Sequence, residues 1–317
     1  MVYPRDRFKT PKRRREKKTS TIFVIIGVSL FAAVALGATY FGLSRRFSFL
    51  NFRLTQDRTE VYQLWEAERY SDLIEVTSAI REQEAMEPSA LVLGGFAQFY
   101  EGNNRVDPDE RRAYASRSVA HLRKALLLDE TPLPGAVHYV LAKAYFELGP
   151  VYSDLVVEHM SHAIEYRYIA SDTYEYLAMA SSRLGRPDDT ARYLRAAIER
   201  NPSDKLFFTL AEVYHESGDL ENAERTFASA IATTDDEHLG NRARLRIAEI
   251  LITTRRYEEA TELLSGLIEQ SPESADAHYW LGVLYHETES PERARLEWRE
   301  AIRLDPGHRE ALGRLQN

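Results

Sequence analysis

Apolar residues recur at helical spacing along most of this chain, and prolines interrupt them at regular intervals. The last complete stretch runs from Leu281 to Pro306 and reads LGVLYHETESPERARLEWREAIRLDP. A single helix there would place Pro291 in its interior, where proline removes an amide donor and clashes with the preceding turn. The pattern therefore predicts two helices joined by a turn, with Ser290 capping the second helix and Pro291 in its first turn.

Small residues repeat in the same way through the C-terminal part of the chain. They follow one another at intervals of 36, 33, 37 and 34 residues, at Ala142, Ala178, Ala211, Ala248 and Gly282. Small side chains allow two helices to approach closely, while larger ones such as Leu281, Tyr285 and Trp298 fill the seam between them. One such helix pair cannot bury its apolar face alone, so the pattern predicts a stack of helix pairs.

This pattern resembles the tetratricopeptide repeat (TPR), a helix-turn-helix unit of about 34 residues. The resemblance is strong from Gly135 to Pro306 and weaker before it. One departure is the position near the start of each unit that usually holds a large aromatic residue. It holds Phe207 in one unit, but Arg244 and His278 in others.

The resemblance implies an all-α fold, a right-handed superhelical solenoid of helix-turn-helix units with a concave inner face. We expect about seven units, at residues 58–87, 88–132, 135–170, 171–203, 204–240, 241–274 and 275–308, followed by a short C-terminal cap at 309–317. An insertion at 102–112, GNNRVDPDERR, interrupts the second unit. It is either a projecting contact surface or a disordered loop without function.

The N-terminal region has a different character. Residues 21–44 carry no charge, and a helix of that length crosses a hydrocarbon core of about 30 Å. Residues 1–20 hold nine Lys or Arg against two acids, and positive charge stays on the cytoplasmic side. We therefore predict a basic cytoplasmic tail at 1–20, one transmembrane signal-anchor helix at 21–44, a linker at 45–57 and a repeat domain outside the cytoplasm. The alternative is a cleaved signal peptide, because the small residues Ala35 and Gly37 offer a cleavage site.

Charge and composition argue against several classes of function. Residues 1–46 carry eleven basic and two acidic side chains, so the chain's net charge of −8 leaves −17 on the remainder. An acidic domain is poorly suited to nucleic acid, whose phosphates require a cationic face. The chain has no cysteine, which excludes disulfides, thiolate metal sites and a cysteine nucleophile.

The sequence also lacks recognisable catalytic chemistry. It contains no GxSxG, phosphate-binding loop, GxGxxG or HExxH motif, so we expect neither an enzyme nor a cofactor. His159 and His162 lie on one helical face, but a metal site needs a third ligand that the sequence does not show. The acidic run Asp235 to His238 lacks the glycine and the spaced oxygen ligands of a calcium loop. We expect surface histidines and a solvated loop.

The family's groove positions can be transferred to this sequence. They are the second, fifth, ninth, twelfth and thirteenth positions of each unit's first helix. The predicted partner-binding groove is Tyr139, Lys143, Phe146, Glu175, Met179, Arg183, Lys205, Phe208, Glu212, His215, Arg242, Leu245, Glu249, Tyr279, Val283 and His286. Aromatic and charged groups alternate there, which suits an extended or helical protein segment. For any single aromatic residue, packing between units is the alternative.

The family's chaperone-binding members use lysines and asparagines to clamp a C-terminal carboxylate. Tyr139, Lys143, Asp172 and Glu175 do not reproduce that set, which argues against a heat-shock co-chaperone. We instead expect a bacterial-type, single-pass protein of the inner (cytoplasmic) membrane that displays a TPR scaffold in the periplasm. It would bind protein partners and organise a cell-envelope complex, in wall synthesis, secretion, outer-membrane assembly or a flagellar collar. The alternatives are a periplasmic chaperone-like holdase, an organellar membrane and self-association.

Overall fold

The computed structural model describes residues 56–316, with side chains from Glu60 onward. The predicted basic tail, the transmembrane span at 21–44 and nearly all of the linker lie outside the described residues. Within 56–316, no helix has both the length and the apolar composition needed to cross a membrane.

The described chain consists of fifteen α-helices, without a strand. The helices are α1 Gln56–Glu66, α2 Tyr70–Gln83, α3 Pro88–Asn103, α4 Pro108–Ala125, α5 Pro134–Leu148, α6 Ser153–Glu165, α7 Thr173–Arg183, α8 Pro187–Arg200, α9 Asp204–Glu216, α10 Leu220–Thr233, α11 Glu237–Thr253, α12 Tyr257–Gln270, α13 Ala275–Glu287, α14 Pro291–Leu304 and α15 Arg309–Gln316. Seven pairs, from α1/α2 to α13/α14, are joined by turns of three or four residues. The predicted all-α helical-repeat fold is confirmed.

The chain divides into two compact units, which are distinct from the repeat units and are called the first unit and the second unit from here on. The first ends at Tyr176, and in its described part it contains the pairs from α1 to α6 and the start of α7. The second begins at Leu177 and contains the remaining helices. Each has its own buried apolar residues, such as Leu91 and Met160 in the first and Phe227 and Leu264 in the second.

The seam between α13 and α14 shows why small residues recur. A Cβ atom added to Gly282 would lie 2.5 Å from two ring atoms of Trp298, closer than atoms in van der Waals contact. The indole is 4% exposed, and its Nε1 donates a hydrogen bond to the Tyr279 carbonyl at 3.3 Å. The ring therefore occupies the space that a side chain at position 282 would need.

The three-residue turns share one backbone feature. Their middle residues all have a positive φ, at Glu68, Gly185, Gly218, Arg255 and Glu289. Glycine adopts this left-handed conformation without a steric penalty, whereas other L-residues adopt it with strain. Pro291 lies in the first turn of α14 as predicted, but the Ser290 side chain makes no capping hydrogen bond.

Two segments that the sequence placed in loops are partly helical, which excludes the disordered-loop alternative for 102–112 and leaves its contact alternative a prediction. The insertion at 102–112 is not a loop, because α3 continues to Asn103 and α4 begins at Pro108, leaving a four-residue turn. Asp107 caps α4 by accepting a hydrogen bond from the Asp109 amide at 2.9 Å, so the additional residues mainly extend the helices. The acidic run 235–238 likewise includes the start of α11, which begins at residue 237 rather than near 241. Asp236 caps it by accepting from the His238 amide at 2.9 Å.

Candidate functional site

The predicted groove residues of the first unit are engaged with one another. Lys143 Nζ donates to Asp172 Oδ2 at 2.9 Å and to Tyr139 Oη at 3.1 Å, and Tyr139 Oη donates to Asp172 Oδ1 at 2.6 Å. Tyr139 is 2% exposed. These groups connect α5 to the residue just before α7, so their polar atoms already have partners within the chain.

Aromatic rings surround the Lys143 ammonium group. Its nitrogen lies 5.8 Å from the ring centre of Phe99, 5.1 Å from that of Tyr139 and 4.8 Å from that of Tyr176. Ring faces attract cations, and the effect is stronger where water is excluded. Burial, followed by the charge of Asp172, raises the pKa of both tyrosines, so they stay neutral.

Phe146 and Glu175 complete the predicted set of the first unit. Phe146 packs edge-on against Tyr176, with ring centres 5.0 Å apart. Glu175 is half-buried, and burial followed by the nearby Asp172 raises the pKa of its carboxyl group. The first unit therefore uses most of these side chains to hold its own elements together.

In the second unit, three successive first helices enclose an open cavity of about 230 Å³, which we call the α9–α11–α13 cavity. Its lining comprises Phe208 from α9, Arg242, Leu245 and Arg246 from α11, and Asp276 and Trp280 from α13. Phe208, Arg242 and Leu245 are predicted groove residues. The fifth position of the predicted unit 204–240 and the second and fifth positions of the predicted unit 241–274 thus meet at one place.

The floor of this cavity is apolar. Phe208 and Leu245 are 8% and 9% exposed, and Trp280 is half-buried. Phe208 rests edge-on against Phe227 of α10, with ring centres 5.4 Å apart. These contacts fix the Phe208 ring within the core of its helix pair.

The Arg242 guanidinium lies over this floor and has no acidic partner among the described side chains. Its guanidinium carbon lies 4.6 Å from the ring centre of Phe208, and the residue is exposed. Among the side chains described from position 60 onward, none forms an ion pair or hydrogen bond with this guanidinium. Arg242 is therefore positioned by the ring and keeps its donors.

Arg246, four residues further along α11, is instead paired twice. Its Nε donates to Glu212 Oε1 and its Nη1 to Glu249 Oε2, both at 2.9 Å. Burial acts to lower the pKa of Arg246, but the hydrogen bonds and charges of Glu249 and Glu212 outweigh it and raise the pKa. His215 Nε2 lies 3.8 Å from Glu249 Oε1. This charged network ties α9 to α11 beside the cavity.

The other predicted groove residues do not line the cavity. Met179, Arg183, Lys205 and His286 are exposed, Val283 is buried, and Tyr279 packs edge-on against Trp280 with ring centres 5.3 Å apart. The prediction missed Arg246, Asp276 and Trp280. Arg246 and Trp280 occupy the sixth positions of the predicted units 241–274 and 275–308, beside the predicted fifth positions, and Asp276 occupies the second position of the latter unit.

A third histidine joins the pair identified in the sequence. His138 Nδ1 of α5 lies 3.0 Å from His159 Nδ1 of α6, and the His138 and His162 ring centres are 4.9 Å apart. Burial, followed by neighbouring histidines, lowers the pKa of His138 and His159 to about 4. The described residues contain no group of three His, Asp or Glu side chains arranged to hold a metal ion.

Comparison with known proteins agrees with this fold. Residues 159–315 match the family model described as tetratricopeptide repeat-like domain. The C-terminal part of a TPR repeat-containing protein from Cytophaga hutchinsonii is 15% identical with a TM-score of 0.56. That match covers 81% of this chain and 98% of that one. At this identity, the similarity concerns the fold alone.

Two further solved structures have lower TM-scores. MamA is 13% identical with a TM-score of 0.47, covering 55% of this chain and 92% of its own. YrrB, a TPR protein with an unusual peptide-binding site, is 18% identical with a TM-score of 0.35, covering 77% and 100%. These two carry no argument about this chain. No curated protein sequence matches it significantly. The family match and the repeated helix pairs support a tetratricopeptide repeat-like domain at residues 159–315.

Proposed function

We propose that this protein is a non-catalytic scaffold that binds a protein partner at the α9–α11–α13 cavity. The observation that carries the proposal is an apolar floor of Phe208, Leu245 and Trp280 beside a guanidinium without an acidic partner. Buried aromatic anchors and arginine supply much of the binding energy at protein interfaces. Repeat arrays use surfaces of this kind for binding.

The proposal extends to the protein's location. The uncharged stretch at 21–44 and the basic tail before it support a single membrane anchor with the repeat domain outside the cytoplasm. In that position the domain would organise a cell-envelope complex. Alkaline extraction of membranes tests the anchor, because an anchored chain stays in the pellet and a cleaved or peripheral chain is released.

Site-specific photo-crosslinking in living cells tests the partner. A photoreactive phenylalanine derivative at Trp280 keeps an aromatic ring at the cavity, and the same probe at the exposed Arg225 on α10 is the matched control. We expect one or two dominant protein adducts from position 280 and none of these from position 225. Equal labelling from both positions would refute the proposed site, and a broad range of exported proteins from position 280 would indicate a holdase.

A further inference from the structure

The α9–α11–α13 cavity has two chemically different halves, and together they specify its occupant. One half is the apolar surface of Phe208, Leu245 and Trp280, and the other is the Arg242 guanidinium. We infer that the cavity binds an extended protein segment in which one large apolar side chain lies beside a single Asp or Glu. The apolar side chain fills the cavity and the carboxylate pairs with Arg242. This inference rests on the proposed function and names the partner's chemistry.

The contrast between two neighbouring arginines points to a carboxylate. Arg246 already has Glu212 and Glu249, each with an oxygen 2.9 Å away, whereas Arg242 has only the Phe208 ring. A guanidinium whose contact is an aromatic ring still has N–H donors to offer, and their fork matches the two oxygens of a carboxylate. The structure thus leaves one anion position open at the edge of the cavity.

The acidic groups in and beside the cavity limit the negative charge of the segment. Asp276 belongs to the lining, and its side chain is 68% exposed. The carboxylates of Glu212 and Glu249 lie on the Arg246 side. Like charges facing each other across an interface disfavour binding. A run of acidic residues, or the phosphate backbone of a nucleic acid, would meet this repulsion, whereas a single acid at Arg242 would not.

The apolar half fixes the second requirement. Phe208 is held by Phe227 and Trp280 by Tyr279, so the rings on both sides of the cavity are set before a ligand arrives. Preformed apolar pockets favour ligands that fill them without reorganisation. A segment with an acid but no large apolar side chain would leave the floor in water and bind weakly.

Selection from a random peptide library on the full-length protein in lipid nanodiscs tests this chemistry. The displayed segments are internal to a coat protein, so no free C-terminal carboxylate is available. On the unmodified protein we expect enrichment of sequences that place Asp or Glu within a few positions of an aromatic or large aliphatic residue. On the Arg242→Glu variant we expect Lys or Arg at the same position, because the charge preference should reverse.

Fluorescence anisotropy with one selected peptide, amidated at its C-terminus, and its Glu→Gln or Asp→Asn counterpart gives the magnitude. We expect the unmodified protein to bind the acidic peptide about tenfold more tightly, as one charge-assisted pair predicts. Arg242→Gln should remove that preference, Trp280→Ala should abolish binding of both peptides, and the control Arg225→Gln, at the exposed position on α10, should change neither. Circular dichroism establishes that each variant is folded.

Three outcomes would overturn the inference. They are an enriched set without an acid, an acidic preference that survives in Arg242→Gln, and the absence of any enriched segment. Peptides that require Trp280 but ignore Arg242 would refute the charge rule while supporting the proposed binding site. If no linear segment binds, crosslinking from position 280 still decides whether the cavity binds a folded partner.

Discussion

Lys143 and Asp172 form an ion pair of 2.9 Å within a ring of aromatic side chains in the first unit. The lysine and aspartate side chains are 13% and 22% exposed, so both charges are largely withdrawn from water. Breaking a buried pair by removing one partner leaves an uncompensated charge, whereas replacing both is tolerated better. This pair joins α5 to the start of α7 and is expected to stabilise the first unit.

Asp172→Ala should therefore destabilise the first unit by about 2–4 kcal/mol, because the Lys143 ammonium would stay buried without its carboxylate. Lys143→Met combined with Asp172→Ala should be less destabilising than the sum of the two single changes. Hydrogen exchange of the α5 amides measures these differences. Strict additivity would mean that the pair contributes no coupling.

Acidification should loosen the α5–α6 pair. Burial and neighbouring charges lower the pKa of His138 and His159 from 6.5 to about 4, so the unfolded chain takes up these protons at higher pH than the folded chain. Stability is therefore complete above about pH 6.5 and is lost as the pH falls toward 4. Hydrogen exchange at pH 7 and pH 5 should show faster opening of α5 and α6 at the lower pH.

The neighbours of these imidazoles define the control for this prediction. Arg123 and His162 oppose a charge on His159, whereas Glu158 and Glu165 partly favour one on His138. His138→Phe keeps an aromatic ring and should flatten the pH dependence, while His286→Gln, at an exposed position of the second unit, should not. An unchanged pH profile in His138→Phe would contradict the assignment.

Glu289→Gly should stabilise the α13–α14 turn by up to about 1 kcal/mol. Glu289 has a φ of 56°, a left-handed conformation that is strained for a residue with a Cβ atom. The reciprocal change Gly218→Ala, at a φ of 80° in the α9–α10 turn, should destabilise the fold. Thermal unfolding measures both, and shifts of the same sign would contradict the strain argument.

Gly282→Ala should destabilise the second unit by about 1–3 kcal/mol, because the new methyl group would overlap the Trp298 ring and force it to move. Gly266→Ala is the matched control, since Gly266 lies inside α12 with no atom within 4 Å of an added Cβ. That change should be stabilising by about 0.5–1 kcal/mol. Urea denaturation followed by circular dichroism compares them, and equal effects would contradict the close approach of α13 and α14.

Most of the helix pairs that were predicted correctly were identified from residues close to one another in the chain. Prolines, small residues and helical spacing identified the helix pairs because capping and close approach depend on residues near each other in the chain. The insertion at 102–112 was misassigned although Asp107 and Pro108 give a helix-start signal of the kind recognised at Ser290 and Pro291. The additional length of the repeat unit at 88–132 was attributed to a loop, whereas the structure places it in longer helices.

The sequence identified only those cavity-lining residues whose place in the cavity depends on their position along a helix. Phe208, Arg242 and Leu245 line the cavity as their helical positions suggested. Tyr139 and Lys143 are engaged by Asp172, a partner 33 and 29 residues away that helical spacing does not reveal. The contribution of Trp280 and the meeting of His138 with His159 also depend on how neighbouring helices pack.

Retention of co-purifying proteins gives the sharpest test of whether the α9–α11–α13 cavity holds a protein partner. Full-length protein carrying Arg242→Glu, or Arg225→Glu as the control at an exposed position of α10, is purified from its native cells in mild detergent beside the unmodified protein. The amount of each co-purifying protein is then measured by mass spectrometry. We expect one or two stoichiometric partners to be lost at least tenfold with Arg242→Glu and to be retained with Arg225→Glu. Equal retention by both variants would contradict this expectation.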